Sequence, residues 1–234
     1  MAQRLDVIDV SHYQGAIDFA AVKASGIVGV IAKATEGSTY IDDMFLKNRD
    51  ACEEAELGFA TYHYLKPDNI TDQMHHYLDT VEPAPGERVV VDFEDEGCTL
   101  EDLHEAVKVL MKDPRQLQIT VYSGHLIKQM LGDEHDRLLS VTSLWLAQYT
   151  TGTPSWPKGT WDTYSLWQYT DKGKCPGVSG NVDSNQFNGS KENCVAWFGP
   201  PDTVIVEPPR QVVTVNIQAP EGIDVLVSVN GEER

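Results

Sequence analysis

Residues 88–94 read Arg-Val-Val-Val-Asp-Phe-Glu and join a run of β-branched apolar residues to two carboxylates. Valine-rich runs of this kind are typical of buried strands. Side chains alternate across a strand, so Asp92 and Glu94 share one face, opposite to Phe93. Two neighbouring carboxylates at the end of a buried strand raise the pKa of at least one of them. That arrangement suits a reaction that needs a proton donor beside a negative charge.

An acidic turn that leads into a helix is the structural alternative for the same segment. Asp95, Glu96 and Thr99 follow at once, and residues of these types are common where helices begin. The segment alone supports the catalytic and the structural interpretation about equally. The choice depends on what the rest of the chain brings to this strand.

Segments with strand character recur along the chain, and helical spacing of apolar residues separates the first five of them. The predicted strands lie near 5–10, 27–33, 58–64, 88–94, 117–122, 143–149, 164–169 and 181–186. The predicted helices begin at Asp18, span about 43–57 and 71–80, begin at Thr99, and follow Gly124. Thr99 and Asp102 have the spacing of an N-terminal helix cap.

Strands that alternate with helices predict parallel β-α units. The connectors 150–163 and 170–180 are rich in glycine and proline, so we expect loops and no further helices there. Eight strands with helices after only the first five predict an α/β fold, a shortened β/α barrel within residues 1–199.

Residues 200–234 are predicted to form a separate tail of unknown role. Pro200-Pro201 and Pro208-Pro209 indicate a linker, and two alternating runs at 213–217 and 223–229 are typical of a β-hairpin. An isolated hairpin is marginally stable in water, so we expect it to need a packing partner.

Composition excludes some classes of function. The 234 residues contain 18 basic and 36 acidic side chains, a net charge of −18, which argues against nucleic-acid binding. The first residues show no secretory signal, and no run approaches the roughly 20 apolar residues of a membrane span. We therefore expect a soluble product in the cytosol that makes it, without membrane insertion. The four cysteines are expected to be reduced there, although a pair between Cys175 and Cys194 is conceivable.

Acidic residues recur where a barrel places its functional groups, at the carboxyl ends of strands. Asp9 lies at the end of the first predicted strand, Asp92 and Glu94 at the end of the fourth, and Asp183 at the end of the eighth. The first and last strands of a closed barrel are neighbours, so we expect Asp9 and Asp183 to lie close together. Each aspartate alone is more commonly a loop cap, and only their shared location favours catalysis.

Several motifs resemble the signature of glycoside hydrolase family 25, the Chalaropsis-type lysozymes or N-acetylmuramidases. These motifs are Asp9-Val-Ser-His-Tyr-Gln-Gly15, Lys33-Ala-Thr-Glu-Gly37 with Tyr40 and Asp42, Gly58-Phe-Ala-Thr-Tyr-His-Tyr64, Val91-Asp-Phe-Glu94, Tyr122-Ser-Gly124, Leu144-Trp-Leu-Ala-Gln-Tyr149, Leu166-Trp-Gln-Tyr-Thr170 and Val182-Asp-Ser-Asn-Gln-Phe187. The resemblance covers about residues 5–190, in order. Ala32 departs from it, since the family usually has a larger apolar residue there. The family fold implies a barrel of eight strands and five helices.

The resemblance implies hydrolysis of the β-1,4 bond between N-acetylmuramic acid and N-acetylglucosamine in peptidoglycan. It implies Glu94 as proton donor, with Asp9, Asp92 and Asp183 as accompanying carboxylates. Asp92 acts either as a nucleophile or by orienting the 2-acetamido group of the substrate, whose oxygen then attacks.

Aromatic and polar side chains near the strand ends are candidates for sugar binding. Tyr62 and Tyr64 are expected to share a face, with His63 opposite. The predicted substrate-binding residues are Tyr62, Tyr64, Lys33, Tyr122, Trp145, Gln148 and Gln168, and Tyr149, Trp167 and Tyr169 are further aromatic residues on the late strands. Most buried aromatic residues are simply core.

No metal or cofactor is expected. His75 and His76 are adjacent, so they cannot both face one helix-bound metal, and no His-x-x-x-His pair is present. His12 and His63 are expected to be hydrogen-bonded structural residues near the mouth of the barrel.

The biological role predicted with this activity is host lysis by a bacteriophage endolysin. Such an enzyme is made in the host cytoplasm and depends on another factor, such as a holin, to reach the wall. A non-catalytic peptidoglycan-binding or virion structural protein on the same fold is the alternative, and a chitin-directed hydrolase is a third possibility. The full set of carboxylates argues against the non-catalytic alternative.

Overall fold

The computed structural model of the protein describes residue 4 and residues 6–199. Its strands are β1 (Val7–Val10), β2 (Gly29–Glu36), β3 (Tyr40–Ile41), β4 (Gly58–Tyr64), β5 (Arg88–Asp92), β6 (Gln118–Ser123), β7 (Ser143–Ala147), β8 (Leu166–Gly173) and β9 (Val182–Phe187). Its α-helices are α1 (Phe19–Ala24), α2 (Phe45–Glu54), α3 (Ile70–Val81), α4 (Leu100–Met111), α5 (His125–Leu131) and α6 (Lys191–Phe198). The predicted linker and hairpin at 200–234 lie outside the described residues.

Eight strands close into a barrel, which confirms the predicted fold. β1 pairs with β2 on one side and with β9 on the other, and the ring continues through β8, β7, β6, β5 and β4 back to β2. The two-residue strand β3 was not predicted. It pairs antiparallel with β2 and lies outside the ring.

The last strand of the ring runs against its neighbours. β9 is antiparallel to both β1 and β8, whereas the other pairings within the ring are parallel. The prediction placed Asp183 at the carboxyl end of its strand, and that detail is wrong, because Asp183 is the second residue of β9. Reversal of the strand nevertheless brings its start to the rim where the parallel strands end. Asp183 is therefore directly opposite Asp9.

Strand alternation divides the core into an inner and an outer layer. Val90 packs inside the barrel with Tyr122 and Trp145. Val89 and Val91 point outward into the cluster that the surrounding helices cover. The predicted cap of α4 is confirmed, since Thr99 accepts a hydrogen bond from the Asp102 N–H while the Asp102 carboxylate accepts one from Thr99.

Helix α6 follows the last strand, and the prediction of only five helices missed it. It covers the end of the barrel where the parallel strands begin, as its contacts show. The Arg88 Nε donates to the Trp197 carbonyl at 2.9 Å, and the guanidinium lies 4.2 Å from the Trp197 ring centroid. Gly29 and Gly58 begin their strands beneath Phe198, where a Cβ at either position would collide with the ring. These two glycines allow the helix to approach the barrel closely.

The cysteines form no disulfide in the structure. All four are buried free thiols, so the conceivable bridge between Cys175 and Cys194 is absent. The Cys175 Sγ lies 3.8 Å from the Ser25 Oγ, whereas Cys194, on α6, packs with the inner core.

Truncation of Trp197 tests whether α6 is an integral part of the barrel. We expect Trp197→Ala to lower the free energy of unfolding by about 3 kcal/mol, because it leaves a cavity beneath the helix. Val195→Ala, on the exposed side of the same helix, should change it by no more than about 0.5 kcal/mol. Urea denaturation followed by circular dichroism provides the measurement. Equal effects of the two substitutions would show that α6 does not pack on the barrel.

Candidate active site

The strand ends surround a cleft whose centre is a cavity of about 170 Å³. Its lining residues are Asp9, Tyr62, Asp92, Glu94, Tyr122, Trp145, Tyr149, Gln168 and Asp183. The four predicted carboxylates, which lie far apart in the sequence, thus meet around one cavity. A cluster of this kind at the carboxyl ends of barrel strands is the usual location of an active site.

Two larger cavities extend the cleft on either side, and each shares lining residues with the centre. The Lys33 arm, about 340 Å³, includes Lys33, Glu36, Tyr64 and Lys66. The Lys128 arm, about 440 Å³, includes His125, Lys128, Gln148 and Tyr149. Glu94 lines both arms and the central cavity, so an elongated ligand along the cleft would pass this carboxyl group.

Two amide side chains hold Asp9 in place. The Gln168 Nε2 donates to both carboxylate oxygens at 3.1 and 3.2 Å, and the Asn185 Nδ2 donates to one of them at 2.7 Å. The Trp145 N–H donates to the Asn185 Oδ1 at 2.7 Å, so the Asn185 N–H groups must face Asp9. Asn185 is the residue of this group that the sequence prediction did not include. It lies two positions after Asp183 on the same strand.

Asp9 and Asp183 form a hydrogen-bonded pair of carboxyl groups. Burial and then the charge of Asp183 raise the pKa of Asp9 above its usual range. Burial also raises the pKa of Asp183, to about 6, and its carboxyl hydrogen bonds to Asp9. The amide donors on Asp9 favour its charged form and so oppose the rise in its pKa, and the hydrogen bond with Asp9 in turn lowers the pKa of Asp183.

Asp92 and Glu94 lie on the same face, as predicted, but in different surroundings. Asp92 is only 5% exposed, and burial followed by the charge of Glu94 raises its pKa. Its Oδ1 has no hydrogen-bond partner in the part of the chain that the structure describes. Glu94 lies just beyond the end of β5 at the solvent-accessible rim. Partial burial raises the pKa of Glu94, and the positive charges of Lys33 and His125 offset part of that rise.

Asp95, the residue after Glu94, forms the acidic turn that was the structural alternative for this segment. One Asp95 oxygen accepts a hydrogen bond from the Gly97 N–H at 2.8 Å, and the other binds the Lys66 ammonium at 2.8 Å. Asp92 and Glu94 make no part of this turn and line the cavity instead. The structural interpretation therefore applies to Asp95, whereas Asp92 and Glu94 are candidates for catalysis.

All seven side chains predicted to bind substrate line the cleft. Tyr62 and Tyr64 share the Lys33 arm, while His63 points away and bonds to Thr35 and Gln73. Gln148 lies in the Lys128 arm, where its Oε1 accepts from Lys128. Tyr122, Trp145 and Gln168 line the central cavity. Gln168 is nearly buried, with its Oε1 accepting from the hydroxyls of Tyr122 and Tyr149, both at 2.9 Å.

The histidines near the mouth are structural, as expected. His12 Nδ1 contacts the buried Asp42 carboxylate at 2.7 Å. Burial lowers the pKa of His63 to about 4, which keeps its ring neutral. Among residue 4 and residues 6–199, no group of three or more histidine, cysteine or acidic side chains is arranged to hold a metal ion. None of the helices in that range has the length and apolar character to cross a membrane.

Comparison with known proteins assigns the family. The profile described as "Glycosyl hydrolases family 25" matches residues 8–178. The chain belongs to this family. The matched region includes Asp9, Asp92 and Glu94, whereas Asp183 lies beyond its end. The predicted family and its enzyme class, glycoside hydrolase, are therefore confirmed.

Curated relatives of this family 25 chain include proteins named as lysozymes. The autolytic lysozyme of Clostridium acetobutylicum is 29% identical over 185 residues, 77% of this chain and 55% of that protein. Lysozyme M1 of Streptomyces globisporus is 28% identical over 212 residues, 81% of this chain and 69% of the relative. The chain thus spans about half the length of the clostridial protein and about two thirds of the other.

Solved structures share the barrel. A bacterial lysozyme from Streptomyces coelicolor is 27% identical, with a TM-score of 0.69 over 84% of this chain and 98% of that one. A family 25 glycosyl hydrolase from Bacillus anthracis has a TM-score of 0.72 at 22% identity over 84% of this chain and 94% of that one, which supports the fold alone.

The raised pKa of Asp183 and the amide donors on Asp9 predict opposite effects for two isosteric substitutions. A raised pKa in an acid means that the folded state holds the proton more tightly than the unfolded state. The stability due to Asp183 is therefore complete below about pH 4 and lost as the pH rises through about 6. Asp183→Asn mimics the protonated carboxyl, so it should add roughly 1–2 kcal/mol at pH 7, allowing for solvent screening, and little at pH 4.

Asp9→Asn is the matched comparison, because it turns an amide N–H group toward the donors of Gln168 and Asn185. We expect it to destabilise the protein at both pH values by about 1–3 kcal/mol. Urea denaturation of both variants at pH 4 and pH 7 measures the difference. A loss of stability in Asp183→Asn at pH 7 together with a gain in Asp9→Asn would contradict this prediction.

Proposed function

We propose that this family 25 hydrolase is a muramidase that cleaves the β-1,4 bond between N-acetylmuramic acid and N-acetylglucosamine in bacterial peptidoglycan. One observation carries the proposal: Glu94 lies at the rim of a long cleft, with the buried carboxyl of Asp92 on the same face of the chain. The relatives named as lysozymes support the substrate class.

Glu94 is the general acid in this mechanism. Its raised pKa keeps the carboxyl protonated at higher pH than an ordinary glutamate, so it can protonate the leaving glycosidic oxygen as the bond to the anomeric carbon breaks. Its position at the rim also allows proton exchange with water after each cycle. The carboxylate left behind then removes a proton from the water that completes hydrolysis.

Asp92 orients the substrate in this proposal. The unpartnered Oδ1 is available to accept the N–H of the 2-acetamido group, which turns the acetamido oxygen toward the anomeric carbon. That oxygen attacks as the leaving group departs, and water later opens the cyclic intermediate. Direct attack by Asp92 is the other route to the same product. Mass spectrometry of enzyme trapped with a slow substrate separates the two, since a sugar ester on Asp92 would contradict the orienting role.

Asp9 and Asp183 act on the same reaction through charge. Positive charge develops on the sugar ring in the transition state, and fixed negative groups in a site of low dielectric stabilise it. Asp9 is held for this purpose by Gln168 and Asn185 and requires no movement during the reaction.

Glu94→Gln tests the assignment of the general acid. The amide keeps the shape of the side chain but has no acidic proton, so kcat on purified peptidoglycan should fall by about 10²- to 10⁴-fold. Glu96→Gln is the matched control, because Glu96 lies two residues further along and is exposed outside the three cavities. Release of reducing ends, identified as muramic acid by mass spectrometry, is the readout. Equal activity of wild type and Glu94→Gln would refute the assignment.

We also propose that the enzyme serves host lysis by a phage. It is then made in the host cytoplasm and reaches the wall through a holin. The relatives named as lysozymes support cleavage of the cell wall, but their names do not indicate one biological role. The non-catalytic alternative predicts binding to peptidoglycan without release of reducing ends, so the same assay distinguishes it.

A further inference from the structure

The Lys128 arm contains a positive charge that the protein does not neutralise. Lys128 lies on α5, half-buried, and its Nζ donates to the Gln148 Oε1 at 2.6 Å. The ion pairs formed among the described residues do not include this ammonium group. Burial lowers its pKa, as expected for a cation that lacks a counter-ion. An anion that entered the arm would relieve this unfavourable burial.

The opposite arm differs in charge, although it contains two lysines. Lys33 lies 2.6 Å from the Glu36 carboxylate, and Lys66 lies 2.8 Å from that of Asp95. Both cations are therefore paired within the protein. The cleft thus has one end where lysine charge is balanced and one end where it is not.

The position of Lys128 is fixed by its neighbours. The Gln148 Oε1 also accepts from the Ser155 N–H at 2.9 Å, which ties it to the following loop. An ammonium group has three donors, and Gln148 takes one of them. Tyr149, which is 55% exposed, lies in the same arm and provides an aromatic surface for a sugar ring.

Peptidoglycan provides an anion on only one of its two sugars. The lactyl group of muramic acid ends in a carboxylate when no peptide is attached, and otherwise in a peptide with carboxylates of its own. N-acetylglucosamine has no charge. An enzyme with a net charge of −18 repels an anionic strand overall, so a local cation in the cleft selects where the charged sugar lies.

We propose that the Lys128 arm binds a carboxylate borne by muramic acid, either the lactyl group itself or the attached peptide, and so fixes the direction of the glycan in the cleft. This inference rests on the proposed muramidase function. Lys128 is a specificity-determining residue of that reaction, and the Lys33 arm receives the uncharged part of the strand.

Two pairs of substrates test this inference on the 234-residue chain. One pair is peptide-free glycan strands with the lactyl carboxylates either free or converted to methylamides. The other is peptide-bearing strands, in which the lactyl group is already an amide and the peptide carboxylates are either free or converted to methylamides. Release of reducing ends gives kcat/KM for each. We expect the wild type to prefer the free carboxylate about tenfold in at least one pair, as for a hydrogen bond to a charged group.

The variants connect this preference to the residue. Lys128→Met should abolish the preference, whereas Lys128→Arg, which keeps the charge, should retain most of it. Lys108→Met, on the exposed surface of α4, should behave as wild type. Lys128→Gln replaces Lys128→Met in the comparison if the latter does not fold.

Each outcome has a separate meaning. A preference confined to the peptide-free pair identifies the lactyl carboxylate as the ligand, and one confined to the peptide-bearing pair identifies the peptide. Equal cleavage of free and amidated strands by the wild type, or an unchanged preference in Lys128→Met, would overturn the Lys128 site and leave the muramidase function intact. A wild type that cuts none of the four substrates would refute the proposed function, and this inference with it.

Discussion

The antiparallel pairing of β9 with β1 is the constraint on which the site depends. It places Asp183 opposite Asp9 at the rim where the parallel strands end, although Asp183 lies at the start of its own strand. Burial raises the pKa of both carboxyl groups, and the charge of Asp183 raises that of Asp9 further. The amides of Gln168 and Asn185 donate to Asp9, and the Trp145 N–H orients Asn185. Any parallel arrangement would have placed Asp183 at the opposite end of the barrel.

The rest of the fold tolerates this concentration of acids. The inner core below the cavity is apolar, and α6 seals the far end of the barrel through Trp197 and Arg88. Carboxyl groups with raised pKa values make the mouth less stable near neutral pH than an uncharged mouth would be. This loss of stability is thus confined to the site, where the proposed reaction needs a protonated acid beside a negative charge.

The sequence was sufficient wherever a short-range rule decides the geometry. Strand alternation placed Asp92 with Glu94 and Tyr62 with Tyr64, and the cap spacing placed the start of α4. The direction of β9 could not be read in the same way, because the residues of a strand look alike whichever way it runs in a closed barrel. Helix α6 was missed because it follows the last strand, where no further strand requires a connecting helix. The clamp of Gln168 and Asn185 on Asp9 depends on contacts between distant strands.

The proposed reaction depends most directly on the raised pKa of Glu94 at the rim of the acidic cleft. A carboxyl ¹³C NMR titration of the wild-type protein, with Glu94 assigned by comparison with Glu94→Gln, measures this directly. The account predicts that the Glu94 carboxyl titrates above the usual range for glutamate, and that its signal also responds as the Asp9–Asp183 pair loses its proton. A Glu94 carboxyl that titrates at or below the ordinary value of a glutamate would contradict the account.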